Sequence, residues 1–130
     1  MSRIRGKDTK PELIVAKALR AKRIYFRKHY KGRQKISIDI ARPRDKRAVF
    51  IDGDFWHGHD YDIRATKLSD FWRKKIQRNM ERDSEQVIVL EAAGWSILRV
   101  WESEIMRKAT REEALNRVES FLIGEAIESD

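Results

Sequence analysis

The chain of 130 residues predicts an α/β fold in one domain spanning residues 1–130, with the element order α-β-β-β-α-β-α. Three kinds of pattern indicate this class. Apolar residues recur at helical spacing behind capping signals, other segments alternate with a period of two, and one short segment is almost entirely apolar. Hydrophobic residues make up 41% of the chain, which supplies a core and argues against disorder.

The first half holds one helix and three strands. Thr9 can cap the helix, Pro11 lies in its first turn, and Glu12 stands three residues after Thr9, as in a capping box. We expect the helix to run to about Arg20. The strands, of which the second and third form a hairpin around a turn at 43–46, are residues 25–30, 36–40 and 47–51.

The second half begins with a long helix that Ser69 opens and Gly94 ends. Its predicted apolar stripe is Trp72, Ile76, Met80, Val87 and Leu90. Residues 95–101 predict a strand buried on both faces. A second capping box, at residues 110–113, predicts the start of a final helix, whose inward residues are Leu115, Val118 and Leu122.

Charge is distributed unevenly along the chain. Residues 1–49 carry 17 lysines and arginines against 4 acidic residues, whereas the whole chain has a net charge of +8. Such a basic half favours a polyanionic partner such as nucleic acid, although a solvated cationic face remains the alternative. No apolar run is long enough to span a membrane, and the N-terminus lacks the apolar segment of a secretory signal. We therefore expect a soluble cytoplasmic protein without membrane partners.

The absence of cysteine excludes disulfides, thiolate metal sites and cysteine nucleophiles. Three acidic residues remain as candidates for chemistry. Asp39 interrupts an apolar strand, where alternation would also allow an outward polar residue beside Ser37, with Ile36, Ile38 and Ile40 on the other face. Asp83 lies on the apolar stripe of the long helix and needs a cation or hydrogen-bond partner there; a purely structural ion pair is the alternative. Glu12 has an ordinary role in the capping box.

Residues 52–60 predict an irregular loop that is dense in chemical groups. It holds three aspartates, two histidines and an adjacent Phe–Trp pair. Neutral imidazole acts as a general base near neutral pH or as a metal ligand. Carboxylates that converge on such a loop would form an oxygen-rich site for Mg²⁺ or a similar cation.

Four segments, in this order and at this spacing, closely resemble the very-short-patch-repair (Vsr) DNA mismatch endonucleases. They are Ile4–Leu13, Phe50–His59, Phe71–Asp83 and Ala93–Glu102. The resemblance implies a type II restriction endonuclease-like core, a central mixed sheet flanked by helices. It also implies Mg²⁺-dependent hydrolysis of one strand of duplex DNA beside a T:G mismatch, the first step of very-short-patch repair.

The resemblance assigns roles to particular residues. Asp39 and the backbone carbonyl of Ile51 would hold the metal, His57 would be the general base, and Asp83 would support His57. Glu12 would be a further catalytic acidic residue. DNA contacts would come from Phe55, Trp56 and Trp72 as a wedge, and from Met1, Arg3, Arg5 and Lys7 near the N-terminus. For the aromatic residues, core packing is the alternative, more plausible for Trp72.

The chain departs from the family at two places. Zinc-bearing members use one histidine and three cysteines, and the matching positions carry Asp54, His59, Tyr61 and Ser103. We therefore expect no structural zinc, and expect hydrogen bonds of Asp54 and Asp60 to hold the loop instead. Well-known members also carry Thr-His where this chain has Ile51 and Asp52. Asp52 is accordingly a candidate additional metal ligand, which leaves mismatch specificity open.

The expected partner is double-stranded DNA, with mismatch-repair proteins as further partners of a monomer associated with the bacterial nucleoid. Two other classes remain open. One is a restriction- or homing-type endonuclease of the same fold without mismatch specificity. The other is a non-catalytic DNA-binding module, against which the set of Glu12, Asp39, His57 and Asp83 argues.

Overall fold

The computed structural model describes residues 8–55, 58–59, 61 and 65–124. In order along the chain, its regular elements are α1 (Lys10–Ala21), β1 (Arg27–Lys31), β2 (Ser37–Arg42), β3 (Arg47–Asp52), α2 (Asp70–Ala92), β4 (Ser96–Trp101), α3 (Glu102–Met106) and α4 (Lys108–Ile123). Short 3₁₀ turns at Pro43–Asp45 and Ala65–Lys67 join some of them.

The strands form a mixed sheet in the order β1-β2-β3-β4. The β1–β2 and β2–β3 pairs are antiparallel, whereas β3 and β4 run parallel, joined by a connection that contains α2. A parallel pair requires such a crossover, because its second strand must start at the same edge of the sheet as the first. The predicted α/β class, a mixed sheet flanked by helices, is confirmed.

Two apolar clusters cover the two faces of this sheet. The larger contains Val15 and Leu19 of α1 and Val118 and Leu122 of α4, packed against alternate residues of β3 such as Val49. The smaller contains Leu90 of α2 and Trp95, packed against the intervening β3 residues Ala48 and Phe50. β3 is therefore buried on both faces and is the central strand of the core.

Local signals in the sequence explain where the long helix begins and ends. The Ser69 hydroxyl accepts a hydrogen bond from the Trp72 N–H, the arrangement of a helix N-cap. Gly94 adopts a φ of 94°, a left-handed conformation that glycine takes without steric penalty. The chain then reverses, and the Trp95 N–H donates to the Leu90 carbonyl at 3.0 Å.

The expected alternation along β2 is wrong. Ile38 packs in the smaller cluster and Ile40 in the larger, so the two side chains do not share a face. The regular register of β1 with β2 is interrupted at His29, opposite Asp39, where His29 adopts a φ of 53°. The irregular pair breaks the period-two pattern that the sequence displays.

Two further expectations near the C-terminus need correction. β4 lies at the edge of the sheet, and of its residues only Val100 is buried, so the strand is mainly half-buried. The last helix begins at Lys108, directly after the short α3. Thr110 lies inside its first turn, where its hydroxyl donates to the Glu104 carbonyl at 2.8 Å instead of capping the helix.

Within the described ranges, no helix combines the length and the apolar character that crossing a membrane requires.

Candidate active site

The site forms where β2 separates from β3. The antiparallel register pairs Ile40 with Val49 and ends there, although β3 continues alongside β4 as far as Asp52. At the point of separation, the Asp39 carboxylate takes the place of the missing ladder partner: its Oδ2 accepts the Ile51 N–H at 2.8 Å. A buried N–H group needs an acceptor, so this hydrogen bond stabilises the fork between the strands.

Asp39 lies in an environment that disfavours its negative charge. Burial raises the pKa of its carboxyl from 3.8 to about 6, and the nearby charges of Glu12 and Asp52 act in the same direction. The hydrogen bond from Ile51 and the charge of His29 oppose the rise. Carboxylates crowded in this way favour binding of a cation, which would offset their repulsion.

Glu12 combines a helix-capping role with a place beside Asp39. Its Oε1 accepts the Thr9 N–H at 3.1 Å, which is the Glu12 half of the predicted capping box. Its side chain is buried against the sheet, 3.7 Å from the Nε2 atom of His29. Both readings of Glu12, as a cap and as a member of the carboxylate group, therefore describe the same side chain.

His29 is a member of this site that the sequence interpretation missed. Its ligand atom and those of Asp8 and Glu12 all lie within 4.8 Å of one another, and its Nε2 is 3.5 Å from Asp8 Oδ1. Lys28 also contacts Asp8, at 2.6 Å. Only the hairpin register places His29 opposite Asp39, and a strand pattern alone does not supply that register.

Asp83 has the cation partner that its position on the inner stripe of α2 requires. Arg99 Nη2 lies 3.5 Å from Asp83 Oδ1, and the same guanidinium binds both oxygens of Asp52, at 2.8 and 3.4 Å. Asp52, with an exposure of 5%, is the most deeply buried aspartate of the described residues. Arg99 is a charge in the middle of an apolar strand, the signal that could have identified it.

A cavity of about 260 Å³ lies between β3, α2 and β4, lined by Asp52, Met80, Asp83, Arg99, Val100 and Trp101. Gly58 of the loop after β3 lies against Met80, one of the residues that line this cavity. A side chain at Gly58 would collide with the Met80 thioether, and Gly58 has a φ of 81°. The predicted base His57, immediately before Gly58, lies outside the described residues.

Other predicted site residues also lie outside the described ranges. These are Trp56, Asp60 and the N-terminal residues Met1, Arg3, Arg5 and Lys7.

Three of the four positions that match the zinc ligands of the family form a hydrogen-bonded group. We call the residues Asp54, His59 and Ser103 the clasp. Asp54 Oδ2 lies 2.5 Å from His59 Nδ1 and accepts the Ser103 hydroxyl at 2.6 Å, while Asp54 Oδ1 accepts the Ser103 N–H at 3.1 Å. The clasp therefore ties the loop after β3 to the start of α3.

Further contacts reinforce the clasp. The His59 ring stacks on Trp101, with 4.3 Å between ring centroids and 6° between the planes. Burial opposes ionisation of Asp54, but the hydrogen bonds from Ser103 and His59 outweigh it and hold the pKa of Asp54 below its usual value. At the fourth position, the Tyr61 hydroxyl accepts a hydrogen bond from Gln77 of α2 at 2.9 Å.

Aromatic side chains gather on the surface at the start of α2. Trp72 makes edge contacts with Phe55 and Phe71, with centroids 5.7 and 5.1 Å apart. Their exposures of 37% for Trp72, 36% for Phe55 and 62% for Phe71 exclude the core-packing alternative for Phe55 and Trp72. Phe71 belongs to this aromatic group, although the sequence interpretation did not single it out.

Comparisons with known proteins identify relatives of this chain. The family described as DNA mismatch endonuclease Vsr matches residues 1–63. The DNA mismatch endonuclease Vsr of Escherichia coli is 32% identical over 133 residues, covering 96% of this chain and 82% of that protein. The type II nicking enzyme V.NmeAIP of Neisseria meningitidis is 40% identical, covering 91% of this chain and 85% of that protein. The type II nicking enzyme V.HpaIIP of Haemophilus parainfluenzae is 41% identical, covering 79% and 74%.

Substitution of Asp54 by alanine should loosen the loop without unfolding the sheet. The variant loses the carboxylate that joins His59 to Ser103, at a cost of about 2 kcal/mol in the free energy of unfolding. We expect faster proteolysis between Gly53 and Thr66, measured by mass spectrometry of timed digests. Asp45→Ala, which removes one exposed ion pair with Arg42, is the matched control and should digest like the parent. Equal digestion of Asp54→Ala and the parent would contradict this role.

The clasp also predicts the metal content of the protein. A carboxylate, a hydroxyl and an imidazole already bonded to that carboxylate do not form the thiolate set of a structural zinc site. Elemental analysis should find no stoichiometric zinc, and a strong chelator should leave the melting temperature unchanged. One tightly held zinc per chain would show that the loop is held differently.

The raised pKa of Asp39 predicts a pH-dependent loss of stability. The folded protein holds a proton on Asp39 up to a pH of about 6, whereas the unfolded chain releases it near 3.8. The free energy of unfolding should therefore fall as the pH rises from 3.8 to about 6, by about 3 kcal/mol at most. Asp39→Asn keeps an acceptor for Ile51 but cannot ionise, so it should match the parent at pH 3.5 and exceed it at pH 7. Urea denaturation in the presence of a chelator measures the free energy of unfolding of both proteins. A difference between Asp39→Asn and the parent that is the same at pH 3.5 and at pH 7 would contradict the prediction.

Proposed function

Because the chain belongs to the Vsr family of DNA mismatch endonucleases, we propose that it hydrolyses one strand of duplex DNA beside a T:G mismatch. The observation that carries this proposal is Asp39, a half-buried carboxylate at the fork of two strands, with the charges of Glu12 and Asp52 nearby. Such a group is costly for the fold, and a role in binding a catalytic cation accounts for its presence.

A hard divalent cation fits the donors of this site, because they are carboxylate and backbone oxygens whose mutual repulsion a cation relieves. Asp39 and the Ile51 carbonyl would hold it. Asp52, the candidate additional ligand, has both oxygens bound to Arg99 in the structure. Mg²⁺ bound at Asp39 would offset the charge of the scissile phosphate and make water more acidic.

The proposed general base is His57, which takes a proton from the attacking water. Asp83 supports this role from α2, because a carboxylate near an imidazole orients the ring and favours its charged form. Gly58, the residue after His57 in the chain, lies against Met80, one turn of α2 before Asp83. The ion pair with Arg99 fixes Asp83 in that position.

The proposed DNA surface combines cations with the exposed aromatic group. Nine lysines and arginines between residues 20 and 46 are exposed: Arg20, Lys22, Arg23, Arg27, Lys31, Arg33, Lys35, Arg44 and Lys46. Cations of this kind bind phosphates without regard to sequence. Phe55 and Trp72, together with Trp56, are suited to insertion between base pairs, and Met1, Arg3, Arg5 and Lys7 are proposed to add contacts from the N-terminal arm. Unstacking costs least at a mismatch, which would direct cleavage there.

Nicking of matched duplexes tests the proposal directly. With Mg²⁺, we expect a duplex with one T:G pair to be nicked about tenfold or more faster than the same duplex with T:A, measured on denaturing gels with each strand labelled. Asp39→Asn should abolish nicking but keep DNA affinity within about threefold, because phosphate contacts provide most of the affinity. Asp45→Asn serves as the control for charge. Equal rates on both duplexes would instead identify a restriction- or homing-type endonuclease, and DNA binding without cleavage a non-catalytic module.

The two residues of the proposed base can be separated by kinetics. His57→Ala should lower the nicking rate about 100-fold or more, because it removes the proton acceptor. Asp83→Asn should lower the rate less, because it affects only the orientation and charge of the ring. Glu85→Gln, on the exposed side of the same helix, is the matched control. Retention of the parent rate and pH profile in His57→Ala would exclude His57 as the base.

A further inference from the structure

Arg99 joins three parts of the site through one guanidinium. It projects from β4, where its register partner on β3 is Phe50, and its Nε and Nη2 bind the two carboxylate oxygens of Asp52. Its Nη2 also lies 3.5 Å from Asp83 of α2. The face of the guanidinium lies over the Phe50 ring, 4.4 Å from its centroid. Planar cations bind well in such a position, because the ring face attracts charge that has left water.

The planar fork of arginine is essential to this arrangement. Two donors reach one carboxylate, and a shared nitrogen approaches a second, which the single ammonium of lysine could not reproduce. Arginine also remains charged at any physiological pH. Arg99 is therefore a permanent positive charge bound to Asp52, one of the two acidic residues whose charges act on Asp39.

We propose that Arg99 is a positioning residue that binds both oxygens of Asp52 and so prevents Asp52 from acting as a metal ligand. A divalent cation then binds at Asp39 and not at Asp52. This inference rests on the proposed function in placing the cation at Asp39. Arg99 thus has the charge role that a second metal ion would have at a site with two free carboxylates. The same nitrogen, Nη2, also contacts Asp83. One side chain therefore positions both the carboxylate near the proposed metal and the carboxylate that supports the proposed base.

The test counts Mn²⁺ ions bound to the DNA-free protein, by electron paramagnetic resonance titration. Arg99→Met leaves Asp52 without this cation, and we expect it to bind one more Mn²⁺ per chain than the parent, or the same number about tenfold more tightly. The double variant Asp52→Asn/Arg99→Met lacks the carboxylate that Arg99 binds in the parent and should return to the parent value. Binding by Arg99→Met that equals the parent overturns the proposal, as does a gain that persists in the double variant.

A variant that keeps the charge covers the case in which Arg99→Met does not fold because it removes the guanidinium bound to a buried carboxylate. Arg99→Lys should fold, bind Asp52 at fewer points and tighten Mn²⁺ binding relative to the parent; unchanged binding would overturn the proposal. Asp39→Asn separates this result from the proposed function. If Asp39→Asn retains the parent's bound ion, the metal assignment of the proposed function fails, whereas the comparison at Arg99 still reports on Asp52 alone.

Discussion

The hydrogen bond from the Ile51 N–H to the Asp39 carboxylate is the interaction on which the site depends. β2 and β3 pair regularly only from Ile40 and Val49 onward to the turn, and beyond that point the strands diverge. An unpaired N–H group at a buried strand end would cost one to three kilocalories per mole, roughly. The Asp39 side chain accepts this hydrogen bond, so the two strands can separate without that cost. The site lies where they separate.

The surrounding charges follow from this choice. A carboxylate that replaces a ladder partner loses much of its contact with water, and its neighbours either add to its charge, as Glu12 and Asp52 do, or offset it, as His29 does. Arg99 compensates Asp52 and the Thr9 N–H binds Glu12, whereas burial is the main cause that raises the pKa of Asp39. The strain of a left-handed residue in β1, at His29, accompanies the same irregular pair. The half-buried charge of Asp39 and the left-handed backbone at His29 thus lower stability at the candidate site, and the packing of the rest of the sheet compensates for this loss.

Features encoded by neighbouring residues were predictable from the sequence, whereas features set by distant contacts were not. Ser69 and Gly94 mark the ends of α2 through their own backbone preferences, and the position of Asp83 on an apolar stripe correctly required a cation. The identity of that cation depends on the parallel register of β3 and β4, which brings Arg99 to Asp52 across 47 residues. Likewise, the alternation of β2 was misjudged because the irregular pair involves His29 on another strand. The resemblance supplied site positions, but contacts came only from the fold.

The clasp has a consequence for the chemical environments in which the loop keeps its shape. Zinc–thiolate centres are opened by peroxides and by thiol-modifying electrophiles, which convert the sulfur ligands to disulfides or sulfenic acids and release the metal. Asp54, His59 and Ser103 contain no sulfur, and the chain has no cysteine at all. The hydrogen bonds of the clasp therefore contain no thiolate that an oxidant or an electrophile could attack. The weakness of the clasp is acidity instead, because protonation of Asp54 removes the acceptor that holds the other two residues.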